Sequence, residues 1–428
     1  MNSLNGSIFN KIGIPSTLVW GYIGVLFFMT GDGIETGWIS PYLVDNGFSV
    51  EQAASLLTAY GITVALASWA SGVFVEMFGP KKTMTVGLII YILGSASFIY
   101  FGMGSMNLVI MYPTYMLRGL GYPLFAYSFL VWINYSSPTK MLGSAVGWFW
   151  FAHAGGLSVL GAYLSSWLIP LVGHTNTLWT SIIWTIIGAV FALIVNRDVE
   201  IDKKITSSID KNKGKELLKG LTIMKKEPKV ALGGIVRLIN SIAVFGFPVF
   251  LPMYMSEHGY DITQWLQIWG TIFTANIAFN LVFGFIGDKF GWKNTVMWFG
   301  GFGTGISILA LYYIPQLMPG NVVVLYIVSM LFGAFLAGYV PLSALVPSLV
   351  KDDKGAALAI LNLGAGLSRF VAPVIVGALI SIIGTGGVMW VIAFIYIGGA
   401  ILTSLIKIDE ETIKNNNAEN DDVQVTAD

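Results

Sequence analysis

Twelve long apolar stretches dominate this sequence, and each has roughly the 20 residues that a helix needs to cross the hydrocarbon core of a membrane. Inside hydrocarbon every backbone N–H and C=O must find a partner within the protein, so such stretches form helices. Only 11% of the residues are charged, compared with about 25% in an ordinary soluble domain. The pattern predicts an all-α membrane protein with spans near residues 17–44, 51–78, 82–103, 107–135, 141–170, 176–196, 229–256, 262–287, 294–315, 321–350, 355–383 and 387–406.

A polar segment rich in Lys, Asp and Ser separates the first six spans from the last six. We expect an N-terminal six-helix bundle at 1–197, a cytoplasmic linker at 198–228, a C-terminal six-helix bundle at 229–408 and a disordered cytoplasmic tail at 409–428. The two halves share an internal repeat, because GVFVEMFGPKKT (72–83) matches GFIGDKFGWKNT (284–295) and NGFSVEQ (46–52) matches HGYDITQ (258–264) at the same offset. A parallel repeat of this kind is typical of carriers that rock two bundles around a central site.

The lysines and arginines predict the orientation in the membrane. Of the 23 Lys and Arg residues, only Arg118, Arg237 and Arg369 fall inside spans. All the others lie on one side if both termini are cytoplasmic, and the opposite loops contain none, as the positive-inside rule requires. The first apolar stretch is too long for a cleaved signal peptide. We expect a multi-pass protein of the cell membrane that retains its first span, keeps both termini in the cytoplasm and acts as a monomer.

Each copy of the repeat contains glycines, an acidic residue and lysines around a turn between two spans. The glycines permit a tight turn and a close approach of helices, and the acid can cap a helix or pair with a lysine. The pattern resembles the Gly-x-x-x-Asp-(Arg/Lys)-x-Gly-(Arg/Lys)-(Arg/Lys) loop of the major facilitator superfamily, although the first copy has Glu for Asp and Met77 at the basic position. The resemblance implies a major facilitator fold whose gate motif comprises Gly72, Glu76, Gly79, Lys81, Lys82, Gly284, Asp288, Lys289, Gly291 and Lys293.

Several longer segments narrow this resemblance. LVWGYIGVLFFMTGDGIETGW, RGLGYPLFAYSFLVW, AVGWFW, VRLINSIAVFGFPVFLPM and KGAALAILNLGAGLS are similar to sequences of the polyol permease family. Members of that family import ribitol and D-arabinitol, and it also includes 2-oxoglutarate permeases. The resemblance extends over the chain except for the linker and tail, and it implies a secondary active transporter.

Two carboxylates, Asp32 and Glu35, lie at membrane depth in the first span, while every other acidic residue falls in a loop, the linker, the tail or the outermost turn of a span. An ionised carboxylate at membrane depth costs about 2.5–3.5 kcal/mol on insertion scales, so these acids need partners or protons. We expect Asp32 to pair with Arg118 of the fourth span, as in the acid–arginine pairs of proton-coupled sugar carriers that the chain resembles. Glu35 has no evident second base in this half, so it is the expected resting site of the transported proton. The alternative is that both acids only bind Arg118 or hydrate a vestibule.

The predicted substrate face is an aromatic and amide stripe on the eighth span. Its members, Trp265, Trp269, Asn276 and Asn280, recur at helical spacing, and amides and ring faces suit the hydroxyls and C–H groups of a polyol. Alternatively, the tryptophans belong to the interfacial aromatic belt and the asparagines hold helices together. Further candidate substrate-binding residues are Tyr122, Arg237, Asn240, Gln267, Asn362 and Arg369.

Three observations bear on the substrate and on the mode of transport. Arg369 lies near the middle of the eleventh span without an evident acidic partner, which would suit an anion and keeps a dicarboxylate open as the alternative to a sugar alcohol. The fifth span lacks the Gly-Pro motif of many antiporters in the superfamily, which favours symport. His153 could titrate, although a single histidine within a span is more often a hydrogen-bonded packing residue.

Other function classes fit the sequence less well. Three scattered histidines and no cysteine cannot supply the usual Zn²⁺ ligands, and the chain has no P-loop for ATP. The linker is too short for a catalytic domain. We therefore expect no enzyme, no metal, no cofactor and no nucleic-acid partner; the partners are a small-molecule substrate, protons and the lipid bilayer. A membrane sensor that does not transport is a remote alternative.

Overall fold

The computed structural model describes Phe9 and residues 13–137, 142–196, 223–350 and 354–406. Within these ranges the chain is helical and has no strand. Most of the predicted linker and the whole predicted tail lie outside the described residues.

Seven helices are described in residues 13–196 of the N-terminal half, and three of them continue into π-helical turns. They are α1 (Val19–Gly33), α2 (Ile39–Asp45), α3 (Val50–Phe78), α4 (Pro80–Ser97, continued by Phe98–Met103), α5 (Leu108–Ser136), α6 (Leu142–Ala154, continued by Gly155–Leu160) and α7 (Gly161–Ala189, continued by Val190–Val195).

The C-terminal half repeats this arrangement with more interruptions. Its helices are α8 (Pro228–Asn240), α9 (Ile242–Glu257), α10 (Ile262–Phe290), α11 (Trp292–Thr295, continued by the π-helix Val296–Gly303), α12 (Thr304–Leu317), α13 (Val322–Ala337), α14 (Leu342–Leu345, followed by the 3₁₀ turn Pro347–Leu349) and α15 (Lys354–Ser404).

Nine helical segments in the described ranges are long and apolar enough to cross a membrane. Two of them contain two spans each, because the backbone leaves the helical region at Gly173 (φ 79°) within α7 and at Gly384 (φ 66°) within α15. The first span is divided into α1 and α2, each too short to cross alone. With these three counted, the structure has the predicted twelve spans in two sets of six.

The break in the first span falls in the sequence GDGIETGW. Gly37 has φ +98°, a conformation that an L side chain rarely adopts. The carbonyls freed by the break are still satisfied, as they must be at membrane depth. The carbonyl of Ile34 accepts hydrogen bonds from the Trp38 indole and from Ser165 Oγ at 2.6 Å, and the Gly37 carbonyl accepts one from Trp265 Nε1 at 2.9 Å. These hydrogen bonds therefore stabilise the break.

The two bundles are in contact on the side away from the linker. Ser40 Oγ donates to the Val249 carbonyl at 2.5 Å, and the hydroxyls of Tyr163 and Thr271 are 3.1 Å apart. At Gly61 of α3, an added Cβ would lie 2.5 Å from the carbonyl oxygen of Arg369 in α15. These contacts seal the interface at the predicted outer side.

On the linker side the interface is open. Among the described residues, a Cβ added at Gly147 of α6 or at Gly366 of α15 would meet no atom of another helix within 4 Å. The same holds for Gly72 and Gly284, the first glycines of the two copies of the predicted gate motif. The conformation is therefore one that opens towards the linker, the predicted cytoplasmic side.

We predict that Gly61→Leu prevents closure on the outer side, since the new side chain would collide with the backbone of α15. The measurement is labelling of a single cysteine at Leu57, which lines the cavity between the bundles, by a membrane-impermeant thiol reagent from the outside. The natural chain has no cysteine, so the background is zero. Labelling should rise several-fold with Gly61→Leu and stay low with Gly72→Leu, whose site is open here. Equal labelling in both variants would contradict this packing.

Candidate functional site

Four charged side chains meet inside the protein beside the break in the first span. Asp32 lies in the last turn of α1, Glu35 lies in the break, Arg118 belongs to α5 and Arg369 to α15. Their exposed fractions are 2%, 4%, 0% and 8%. A buried charge without a partner is costly, so the two acids and two arginines offset one another, and we call them the charge cluster.

Arg118 is the central cation of the N-terminal bundle. Its Nη1 forms the shortest ion pair in the cluster, with Glu35 Oε2, while its Nε and Nη2 donate to the hydroxyl of Tyr91 at 3.2 and 2.6 Å. Tyr115, one turn earlier on α5, donates to Glu35 Oε1 at 2.8 Å. Both oxygens of Glu35 are thus held by α5.

Asp32 lies between the two arginines. Its Oδ1 accepts hydrogen bonds from Tyr60 at 2.9 Å and Tyr91 at 3.3 Å, and it is 3.8 Å from Arg118 Nη2. Its Oδ2 is 4.0 Å from Arg369 Nη1. Asp32 therefore connects the N-terminal bundle with the C-terminal bundle.

This geometry changes one expectation from the sequence. The expected contact of Asp32 with Arg118 exists, but Glu35 is the closer partner of Arg118, so both acids bind this one arginine, as in the alternative given above. A continuous helix was assumed there; the break at residues 34–38 carries Glu35 towards α5 instead.

Arg369 also has partners, so the expectation that it is unpaired is wrong. Besides Asp32, its guanidinium carbon lies 4.5 Å from the ring centroid of Tyr122 and 4.8 Å from that of Phe245. Stacking between two rings suits a planar guanidinium. The predicted substrate residue Tyr122 is therefore part of the site, through Arg369.

A cavity of about 70 Å³ lies between the bundles beside the charge cluster. It is far smaller than the roughly 300–1,000 Å³ of typical ligand pockets, although it has room for a few water molecules. Its lining includes several hydroxyl groups and aromatic rings beside the charged side chains. The lining side chains used in the argument below are Asp32, Glu35, Thr36, Tyr60, Tyr115, Ser158, Phe245, Trp269 and Arg369.

The predicted stripe on the eighth span is only partly at this cavity. Trp269 lines it, and Trp265 is buried against the break in the first span, so an interfacial aromatic belt does not describe these residues. Asn276 donates to the Gly333 carbonyl at 3.2 Å and joins α10 to α13, which is the helix-packing alternative. Asn280 is partly exposed and does not line the cavity.

The remaining predicted substrate residues also lie outside the cavity. Gln267 accepts a hydrogen bond from Tyr326 at 3.0 Å, and Asn362 is exposed. Arg237 and Asn240 lie on α8, closer to the linker side.

The sequence did not single out Tyr60, Tyr91, Tyr115 or Phe245. Tyr115 could have been found, because it precedes Arg118 by three residues and so shares its helix face. Tyr60, Tyr91 and Phe245 come from other helices, and only the tertiary fold brings them to the cluster.

The gate motif forms the expected turns, with Gly79 at φ +84° and Gly291 at φ +94°. Its lysines bind backbone carbonyls: Lys81 Nζ donates to Asn196 O at 3.2 Å, and Lys293 Nζ to Ser404 O at 2.6 Å. Asp288 accepts from Trp292 Nε1 at 2.9 Å. Lys82 and Lys289 are exposed, and the side chain of Glu76 lies outside the described part.

Within the described ranges, no group of three His, Asp or Glu side chains is arranged to hold a metal ion. The chemistry that this site offers is the binding of protons and of hydrogen-bonding solutes.

Comparison with known proteins adds the family. The model of the Major Facilitator Superfamily matches residues 21–276 and 233–427. The chain is 53% identical to an alpha-ketoglutarate permease of Bacillus subtilis over 96% of its own length and 94% of that protein. It is 37% identical to a D-arabinitol transporter of Klebsiella pneumoniae over 94% of its own length and 96% of that protein.

A solved D-xylose-proton symporter has the same fold, with a TM-score of 0.70 at 15% identity, covering 91% of this chain and 97% of the symporter. These likenesses agree with the two bundles, the parallel repeat and the gate motif described above. The chain belongs to the Major Facilitator Superfamily and is a secondary transporter.

Proposed function

We propose that the protein imports a sugar alcohol such as ribitol or D-arabinitol together with protons, by alternating access. The observation that carries the proposal is the buried charge cluster, which borders the cavity at the interface of the bundles. In this cluster, groups that can bind protons border a cavity between the two bundles.

The cluster offers a physical reason for coupling. Asp32, Glu35 and Arg118 belong to the N-terminal bundle, whereas Arg369 belongs to the C-terminal bundle. Adding a proton to either acid leaves an arginine without its counter-charge, and an uncompensated buried charge costs about 3–5 kcal/mol. Because Asp32 and Arg369 face each other across the interface, protonation of Asp32 changes how strongly the bundles hold together. Proton binding is in this way linked to bundle movement.

The lining of the cavity favours a polyol. The hydroxyls of Tyr60, Tyr115 and Ser158 can exchange hydrogen bonds with a polyol, and the Trp269 ring can cover its C–H surface. With both acids ionised the cluster has no net charge, so no free cation attracts an anion. The D-arabinitol transporter among the relatives supports the same substrate class.

A dicarboxylate of the 2-oxoglutarate type is the second candidate. Arg369 lines the cavity, and if Asp32 took up a proton this guanidinium would be free to bind a carboxylate through charge-assisted hydrogen bonds. The alpha-ketoglutarate permease at 53% identity supports this candidate.

The proposal includes a location and an assembly state. Apolar helices on this scale belong in a lipid bilayer, and we place the protein in the cell membrane with both termini in the cytoplasm, from the one-sided distribution of lysine and arginine. One chain contains both bundles, and we propose that it works as a monomer. Its partners are the solute, protons and lipid.

We predict that Glu35→Gln abolishes uphill uptake driven by a proton gradient but leaves exchange of labelled for unlabelled substrate measurable. Gln keeps the size of the side chain and can still bind Tyr115, but it cannot carry the proton. The measurement compares gradient-driven accumulation with exchange in proteoliposomes. The control is Glu51→Gln, at the start of α3 and remote from the cluster, which should behave like the wild type. Wild-type accumulation by Glu35→Gln would contradict the coupling role, and no accumulation by the wild-type protein would support a sensor.

We predict that Arg369→Asn separates the two substrate classes. A polyol should still be transported at an appreciable rate, because Asp32 keeps Tyr60, Tyr91 and Arg118 as partners. Transport of 2-oxoglutarate would instead lose a charged contact and fall by about a hundredfold or more. Uptake of labelled ribitol, D-arabinitol and 2-oxoglutarate is measured in parallel, with Arg369→Lys as the variant that keeps the charge. Wild-type uptake of the dicarboxylate alone, lost in Arg369→Asn, would overturn the polyol assignment.

A further inference from the structure

A second group of polar side chains lies between the bundles, outside the cavity at the charge cluster. His153 of α6 is 5% exposed and Asn240 of α8 is 9% exposed. The Nε2 atom of His153 and the side-chain oxygen of Asn240 are both buried without a hydrogen-bond partner. Burial of an unsatisfied polar atom costs stability, so each of these atoms calls for a ligand or water.

The two residues lie at similar depth. His153 follows the start of α6 by 11 residues, and Asn240 follows the start of α8 by 12. Both helices begin on the linker side, so at 1.5 Å per residue each side chain is about 16–18 Å from that side. Since the interface is open there, a solute that moves between the linker side and Arg369 would cross this depth.

Tyr127 connects His153 with the charge cluster. Its ring lies parallel to that of His153, with centroids 5.9 Å apart, and its hydroxyl is 3.1 Å from that of Tyr122, which stacks on Arg369. Arg237, one turn before Asn240 on α8, lies within Coulombic range of Tyr127. Side chains of both bundles thus converge around one tyrosine.

The unpartnered atoms indicate which ligand group fits. The oxygen of Asn240 needs a donor, while the imidazole of His153 can donate or accept. Arg237 offers further donors, and within the described residues it has no hydrogen bond or ion pair of its own. A hydroxyl both donates and accepts, so a row of hydroxyls satisfies all three residues, whereas a carboxylate cannot donate to Asn240.

We propose that His153, Asn240 and Arg237 form an inner subsite that binds hydroxyl groups of the sugar alcohol, on the linker side of Arg369. The substrate class rests on the proposed function. The small volume of the cavity at the charge cluster adds to the case, because a substrate that does not fit there can extend into this subsite.

The test is equilibrium binding of labelled D-arabinitol and ribitol to purified protein. His153→Phe keeps a ring beside Tyr127 and removes both nitrogens, and Asn240→Leu removes the amide at similar size. Each should raise the dissociation constant about 10-fold. His153→Gln, whose amide can reach the position of Nε2, should stay within about 2-fold of the wild type. This rescue separates a hydrogen bond from a packing effect.

The matched control is His174→Phe. The His174 ring packs on Trp38, with ring centroids 5.1 Å apart, and lies outside the subsite, so this variant should bind D-arabinitol and ribitol as tightly as the wild type. If His153→Phe does not fold, Asn240→Leu still tests the amide. His153→Ala then replaces His153→Phe as the variant with which His153→Gln is compared. Unchanged affinity in both His153 and Asn240 variants would overturn the subsite, and so would a wild-type protein that binds 2-oxoglutarate but neither polyol. Because binding needs no proton gradient, normal binding without uptake would count against the proposed transport and leave the subsite standing.

Discussion

The ion pair between Arg118 and Glu35 is the interaction on which the site depends. A guanidinium that is 0% exposed within a lipid-embedded bundle must be neutralised nearby, and Glu35 and Asp32 do this together. The tyrosines at positions 60, 91 and 115 then supply the hydrogen bonds that the charged atoms still lack. The position of each helix around this pair is constrained by the need to keep every buried charge satisfied.

The break in the first span makes that arrangement possible. An uninterrupted helix would fix Asp32 and Glu35 one turn apart on one face. With residues 34–38 outside regular helix, Glu35 bonds to α5 while Asp32 reaches both arginines. The freed carbonyls of Ile34 and Gly37 are taken up by Ser165 and by Trp265 of the other bundle. The irregular backbone is thus both the support of the site and part of the contact between the bundles.

Much of the fold could be predicted from the sequence, because hydropathy and the positions of lysine and arginine follow directly from the cost of burying backbone and charge. The intramembrane charges were also found in this way. The contact of Asp32 with Arg118 was predicted too. The closer pairing of Glu35 with Arg118 and the approach of Arg369 to Asp32 were not, because they depend on where the first span unwinds and on one conformation of the bundles. The packing role of Asn276 was one of two alternatives for the stripe, and that of Gln267 was not foreseen, since periodicity identifies a face but not its partner.

The contacts that seal the predicted outer side include hydrogen bonds to main-chain carbonyls, from Ser40 to Val249 and from Trp265 to Gly37. Neither the donors nor the acceptors of these bonds ionise in the physiological range, so acid in the medium does not weaken them. Salt screens interactions between exposed charges, so it has little effect on these hydrogen bonds between uncharged groups. In the proposed proton-coupled carrier, the acid that drives uptake would therefore leave this closure intact, whereas a latch built on carboxylates would be protonated and released.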